Sequence, residues 1–326
     1  MTSGLPDRFT SVTDYILAIT HEIWESRQID RIARYYSSDC VIYTLGGIVI
    51  GADAVDRNTR DTLRAFPDRL LLGEAVVLSP LEDGCWLSSH RIGSPMTHSA
   101  DLPQIPATGR KVFVRTIADC VVDQGVITRE WLVRDNYSLM QQLQVDPIAA
   151  ARSVRASSAP DLLDWLEAER VRVNATPDLA AEVSRTDPQR REFAESVLWN
   201  QWKKGDRALL GQHFADYAVL YDSLPIASGV ESIHRHYQGL RAAISDAALT
   251  VDSVGWQPGA DRSGTLAARW MLSFRQTGRL WGLDPAGAPA VMMGVTHWQV
   301  LDGKIVAEWA IYDRIATLAQ LVEPSR

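Results

Sequence analysis

The chain has 326 residues, 46% of them hydrophobic, and a formal net charge of −7 with no basic run, which argues against a nucleic-acid partner. Its three cysteines, Cys40, Cys85 and Cys120, follow no zinc or redox spacing, so a reduced, cytoplasmic protein without a disulfide framework is expected. No apolar run approaches the roughly 18 residues of a membrane span, and the N-terminus lacks the order of a signal peptide, so no membrane partner is expected.

Along residues 13–28 the residues Tyr15, Ile16, Ile19, Ile23 and Trp24 recur at helical spacing, with Asp14 as a candidate cap. Residues 29–39 read as a second short helix, and 40–51 as a hairpin or bent strand. A third helix over 52–68 stops near Pro67. Strands follow over 69–79, 84–94, 111–122 and 126–135, then a short helix over 138–143. The segment 146–187 is a connector expected to pack on its neighbours. Pro160 sits at a helix start there, with Leu162, Leu163 and Leu166 on one stripe, and 176–188 reads as a short helix bounded by prolines. The order then repeats: helix over 191–204, strand over 217–224, helix over 229–244, and strands over 247–256, 266–276, 291–300 and 305–313.

This is a duplication. Gly303 to Leu321 reads GKIVAEWAIYDRIATLAQL, and Gly125 to Leu143 reads GVITREWLVRDNYSLMQQL. The offset is 309 − 131 = 178 between the tryptophans, and it also pairs Tyr43 with Tyr221, Gly51 with Gly229 and Arg91 with Arg269. The expected domains are 10–145 and 188–322, each α+β because helices precede the strands.

The phrase D-G-K-I-x-x-E-W-x-x-x-D at Asp302 to Asp313, the P-A-T-G-R stretch at Pro106 to Arg110 and the run QQLQVDP at Gln141 to Pro147 resemble the SnoaL-like polyketide cyclases of the nuclear-transport-factor-2-like superfamily. In that run Gln144 replaces a family glycine, and in the second copy LDPAGAPA replaces the P-x-T-G-R turn. The resemblance implies two tandem cone-shaped α+β barrels. In each, a bent antiparallel sheet wraps N-terminal helices around an apolar cavity, and the two form a pseudo-dimer within one chain. It implies chemistry from ring closure and isomerisation to dehydration, and also members that only bind.

Candidate site residues follow from strand alternation. Ile305, Ala307, Trp309, Ile311 and Asp313 share one face; Val306, Glu308, Ala310 and Tyr312 share the other. Asp313 and Asp135 end an otherwise apolar face, where desolvation at a cavity wall would raise a carboxyl pKa and make a base. Each also precedes a helix, so an N-cap role stands beside the catalytic one. His297 and its counterpart Asp119 lie on the preceding strand. A two-residue turn sets His297 opposite Glu308, whereas a bulged turn sets it on the face of Trp309 and Asp313. Tyr221 and Tyr43 are candidate hydroxyls for polarising an oxygen. Trp309, Trp131, Trp270, Trp24 and Trp202, with Arg269, Arg91 and His90, are candidate substrate contacts. His234 and His236 are two apart, the wrong spacing for helical metal ligands, so neither metal nor organic cofactor is expected. The expected function is acid–base catalysis as a cyclase, isomerase, lyase or hydratase on a small hydrophobic or aromatic molecule. Non-catalytic binding and a scaffold role are the alternatives. His297 and Asp313 favour the second copy as the active one, and further pairing of the tandem chain into a homodimer is allowed.

Overall fold

The computed structural model describes residues 5–103, 105–175, 187–223 and 226–323. Most of the stretch 176–188, read from the sequence as a helix, lies outside them.

Copy one opens with α1 (Val12–Thr20), capped by Ser11, and a π-helical turn, His21–Glu25. A short α2 (Ile32–Tyr35) leads into β1 (Tyr36–Thr44) and β2 (Gly47–Ile50), followed by α3 (Ala52–Ala65). Then come β3 (Leu72–Pro80), β4 (Trp86–Thr97), β5 (Lys111–Asp123), β6 (Val126–Arg134) and α4 (Asn136–Leu143). The connector supplies α5 (Pro147–Ala156) and α6 (Pro160–Ala175). Copy two repeats the pattern as α7 (Pro188–Trp199), a π-helical turn Asn200–Lys204, α8 (Arg207–His213), β7 (Phe214–Tyr221) and β8 (Ala227–Ser228). It ends with α9 (Val230–Arg241), β9 (Ile244–Pro258), β10 (Ser263–Gln276), β11 (Pro289–Leu301), β12 (Lys304–Tyr312) and α10 (Arg314–Leu321).

Each copy forms one six-stranded sheet, in the orders β2-β1-β6-β5-β4-β3 and β8-β7-β12-β11-β10-β9. Neighbours are antiparallel except β1 with β6 and β7 with β12, so each sheet is mixed rather than wholly antiparallel. The first strand returns beside the last across the helices, which bends the sheet around its own core.

One irregularity decides which side chains face that core. Leu301 pairs with Lys304 across a two-residue turn, where Asp302 (φ 50°) and Gly303 (φ 77°) both adopt the left-handed conformation such a turn needs. Beyond it, Val300 pairs with Ile305 but Gln299 with Ala307, so Val306 is the extra residue of a bulge. His297 therefore lies opposite Trp309, although the turn is tight. Copy one has the same bulge at Thr128, which sets Asp119 opposite Trp131. Beyond the bulge the expected faces invert: Glu308, Ala310 and Tyr312 point inward with Ile305, and Trp309 and Ile311 point outward.

The two sheets pack by these outward faces. Their shared core includes Ile117 and Val133 from copy one, Met271, Met293, Val295 and Ile311 from copy two, and Leu162 and Leu166 of α6. The junction carries a pseudo-twofold pair of cation–π contacts. The Arg91 guanidinium lies 3.7 Å from the Trp309 ring centroid, and that of Arg269 lies 3.5 Å from that of Trp131. A second shared cluster brings Leu139, Met140 and Ala151 of α4 and α5 against Ile315, Leu318 and Ala319 of α10. Among the described residues, no helix is long and apolar enough to cross a membrane.

Candidate active site

Inside the cone of copy one is a cavity of about 470 Å³. Ile16, Ile19 and Trp24 of the N-terminal helix form its floor, and exposed Asn58 and Asp61 of α3 stand at its opening. Inward positions of the sheet supply its polar groups in successive rungs. Glu130 pairs with Cys120 on β5, His90 of β4 pairs with Ala118, and Arg134 pairs with Thr116. Tyr36 and Arg69 complete the set.

Glu130 is 4% exposed and accepts a hydrogen bond from the Tyr36 hydroxyl at 3.1 Å. Burial raises its pKa, against the lowering by Tyr36 and Arg134. Burial also lowers His90 to about 4. This imidazole is therefore neutral near pH 7, with a buried ring nitrogen, Nε2, that has no hydrogen-bond partner among the described residues.

Copy two has the same strand registers, but large side chains pack the interior of its cone. The repeat offset replaces Ile92 by Trp270, Cys120 by Trp298, Thr59 by Tyr237 and Arg134 by Tyr312. Trp202, Tyr237, Trp270 and Tyr312 pack ring against ring, with Trp202 contacting the other three at 5.2–5.6 Å between centroids. Gly294, opposite Trp270, is part of this filling. A Cβ there would lie 2.1 Å from the indole, and copy one carries Thr116 at that place. Glu308, the counterpart of Glu130, is walled in. It accepts from Gln201 Nε2 at 2.9 and 3.0 Å and from the Tyr237 hydroxyl at 2.8 Å, and burial pushes it up to about 7. Asp222 pairs with Arg314 and accepts from the Tyr312 hydroxyl at 2.9 Å. Burial pushes Asp222 up, but Arg314 and His236 outweigh it and hold it at about 2.

The residues singled out from the sequence are distributed otherwise than expected. Asp135 and Asp313 are N-caps of α4 and α10, each accepting a backbone N–H at 3.0 Å, from Ser138 and Ala316. Neither lines the cone of its own copy. His297 and Asp119 face the junction: His297 Nε2 lies 2.8 Å from the Ser89 hydroxyl, and Asp119 lies 3.6 Å from Arg269. Burial, Arg91 and His90 hold the His297 pKa well below 6.5. Tyr221 stacks on Trp309 and Tyr43 on Trp131 at the same junction, so these four rings, with Arg91 and Arg269, join the copies and stand outside the open cone; Tyr221 borders a recess of about 190 Å³, and Tyr43, Trp131 and Arg269 another of about 140 Å³. The bulges account for this, because a one-residue insertion turns each following side chain to the other face. Trp270 and Trp202 fill the core of copy two. Of the expected set, His90 and Trp24 line the open cavity. Glu130, Arg69, Tyr36 and Glu308 are not among the candidates that strand alternation marks in the sequence.

A second chamber of about 480 Å³ adjoins the first at the junction of the copies. The two share Gly46, Thr62, Arg69, Thr116 and Arg134 as walls. Copy two contributes Asp313, Ile315 and Ala316 to the second chamber. Burial raises Asp313 to about 6, against hydrogen bonds from the Ala316 amide and from Asn136 Nδ2 at 2.8 Å.

Residues 15–143 and 189–321 match the family of SnoaL-like polyketide cyclases. Among solved structures, a SnoaL-like protein of Jannaschia sp. CCS1 is 18% identical (TM-score 0.38), with 44% of this chain and 99% of that one aligned. TsrD of Streptomyces laurentii is 20% identical, covering 42% of this chain and 98% of its own, TM-score 0.36. IdmH of Streptomyces antibioticus is 25% identical, covering 41% and 98%, TM-score 0.34. No curated protein matches the chain.

Proposed function

The chain belongs, twice over, to the SnoaL-like polyketide cyclase family, and from that premise we propose that copy one is an acid–base enzyme for a small apolar or aromatic carbonyl compound, with copy two as its scaffold. One observation carries the reading. Glu130 is a buried carboxyl facing an open cavity, whereas its counterpart Glu308 is enclosed by Gln201, Tyr237 and packed tryptophans. The offset also replaces His90, Tyr36 and Arg69 of copy one by Ala268, Phe214 and Ala247, so copy two retains the carboxylate without its polar company.

A carboxylate with a raised pKa accepts a proton from carbon more readily than one in water. The C–H bond beside the substrate carbonyl breaks, the proton goes to Glu130, and the electron pair moves onto the carbonyl oxygen. Neutral His90 donates a hydrogen bond to that oxygen as its charge develops, a geometry whose value grows in a water-poor site. The enolate then either takes the proton back at another carbon, an isomerisation, or attacks a second carbonyl of the same molecule and closes a ring. In the second case the new alkoxide receives the proton held by Glu130. Neither oxidant nor reductant is consumed.

The test is exchange of the α-protons of β-tetralone in deuterated buffer, followed by mass spectrometry. Wild-type chain should accelerate the exchange, with a rate that rises with pH as Glu130 loses its proton through a pKa above 4.5. Glu130→Gln should lower the rate by about 100-fold or more, towards the uncatalysed value, while Glu308→Gln should leave it unchanged. An unimpaired Glu130→Gln chain overturns the proposal. No acceleration by wild type would favour a binding protein.

A further inference from the structure

Arg69 and Arg134 stand at the neck shared by the two chambers. Arg69 is 7% exposed, and the Arg134 Nε is buried without a hydrogen-bond partner. Among the described residues, neither guanidinium donates a hydrogen bond or forms an ion pair within 4 Å. Burying a cation without a partner costs several kcal/mol. The fold does not require it: at the repeat offset, copy two has Ala247 and Tyr312 at these places. Arg69 is kept at such a cost, with Arg134 lining the same two chambers.

The uncompensated cation at the neck is Arg69. The Glu130 and Asp313 carboxylates act on Arg134 and offset its burial, whereas no carboxylate acts on Arg69. Asp313 accepts from the Ala316 amide on one oxygen and from Asn136 on the other. Burial and the neighbouring Arg134 and Arg27 lower Arg69 to about 9, as expected of crowded cations short of a counter-charge. Beyond the neck the second chamber is chiefly apolar, with Phe66, Met96, Leu139, Met140 and Ile315 among its walls.

We propose that the ligand is an elongated apolar carboxylic acid that spans both chambers, its carboxylate held by Arg69 and Arg134 and its apolar tail lodged between the copies. This deepens the function proposed above, because it rests on the first chamber being the reaction site. It gives the duplication a chemical use: copy two closes the tail chamber of copy one with α10.

Calorimetric titration of the full chain with naphthylhexanoic acid and with its primary amide tests the inference. A charge-assisted contact is worth about 1.5–3 kcal/mol, so the acid should bind about 10- to 100-fold more tightly than the amide. Arg134→Gln and Arg69→Gln should each reduce that preference by about tenfold, while amide affinity, which reports an intact chamber, stays within about threefold of wild type. Glu130→Gln should keep the preference, even where β-tetralone exchange is lost. The two readings thus fail separately: an active Glu130→Gln chain that prefers the acid removes only the base assignment. Equal binding of acid and amide, a preference that survives both arginine variants, or no binding of either compound at millimolar concentration overturns the proposal.

Discussion

Replacing Glu308 by Gln should stabilise the chain above neutral pH. Glu308 is fully enclosed, and burial raises its pKa from 4.5 to about 7. Between these values the folded state holds a proton that the unfolded chain has released. The favourable contribution is therefore complete below about 4.5 and lost as pH rises through about 7. A shift of that size corresponds to about 3 kcal/mol. Glutamine carries no charge to desolvate, and when the Gln201 amide turns over, its Oε1, now without a hydrogen-bond partner, takes the place of Nε2 and accepts the new N–H. Urea unfolding followed by tryptophan fluorescence at about pH 5 and about pH 8.5 reads the effect. Glu308→Gln should match wild type within about 1 kcal/mol at the lower pH and exceed it by about 2–3 kcal/mol at the higher. A variant with the pH slope of wild type, or one less stable at the higher pH, would refute the reasoning.

Three further outcomes follow from the same contacts. Arg269→Ala should cost about 3–5 kcal/mol in urea unfolding, because it takes away a fully buried cation 3.6 Å from the buried Asp119 carboxylate and removes the cation–π contact to Trp131. Arg91→Ala should cost less, about 1–2 kcal/mol, because its partner Glu74 is part-exposed and retains Arg115; equal losses at both positions would contradict this. Asp135→Asn should leave β-tetralone exchange unchanged and stability within about 1 kcal/mol, since asparagine caps a helix as well as aspartate; loss of exchange in a folded Asp135→Asn chain would restore that residue as a base.

The duplication, the element order and the family were legible because they rest on patterns that survive local irregularity: helical periodicity, turn glycines, and one constant offset. The site was less so. Strand alternation put Trp309 and Asp313 towards the cavity because counting by two assumes a regular strand. The bulges at Val306 and Thr128 break that count, and no residue type there announces them. With Glu and Trp adjacent, one must face in and one out, and the bulge makes it the glutamate. A different comparison was available in the sequence itself. Aligned at the repeat offset, copy two carries Trp270, Trp298 and Tyr237 where copy one has Ile92, Cys120 and Thr59, and this points to copy two as the filled cone. The preference for copy two rested instead on His297 and Asp313, which the fold uses at the junction and at a helix cap. Among the helices, α8 escaped notice because seven residues with one buried leucine give too little periodicity.

The most direct trial of a working first cone and a sealed second one is to transplant the seal. Ile92→Trp with Thr116→Gly copies the Trp270–Gly294 pair into copy one, where the register is the same. β-Tetralone exchange by this chain should fall to the uncatalysed rate while its near-ultraviolet circular dichroism stays native-like. Exchange at the wild-type rate in the refilled chain would contradict the account.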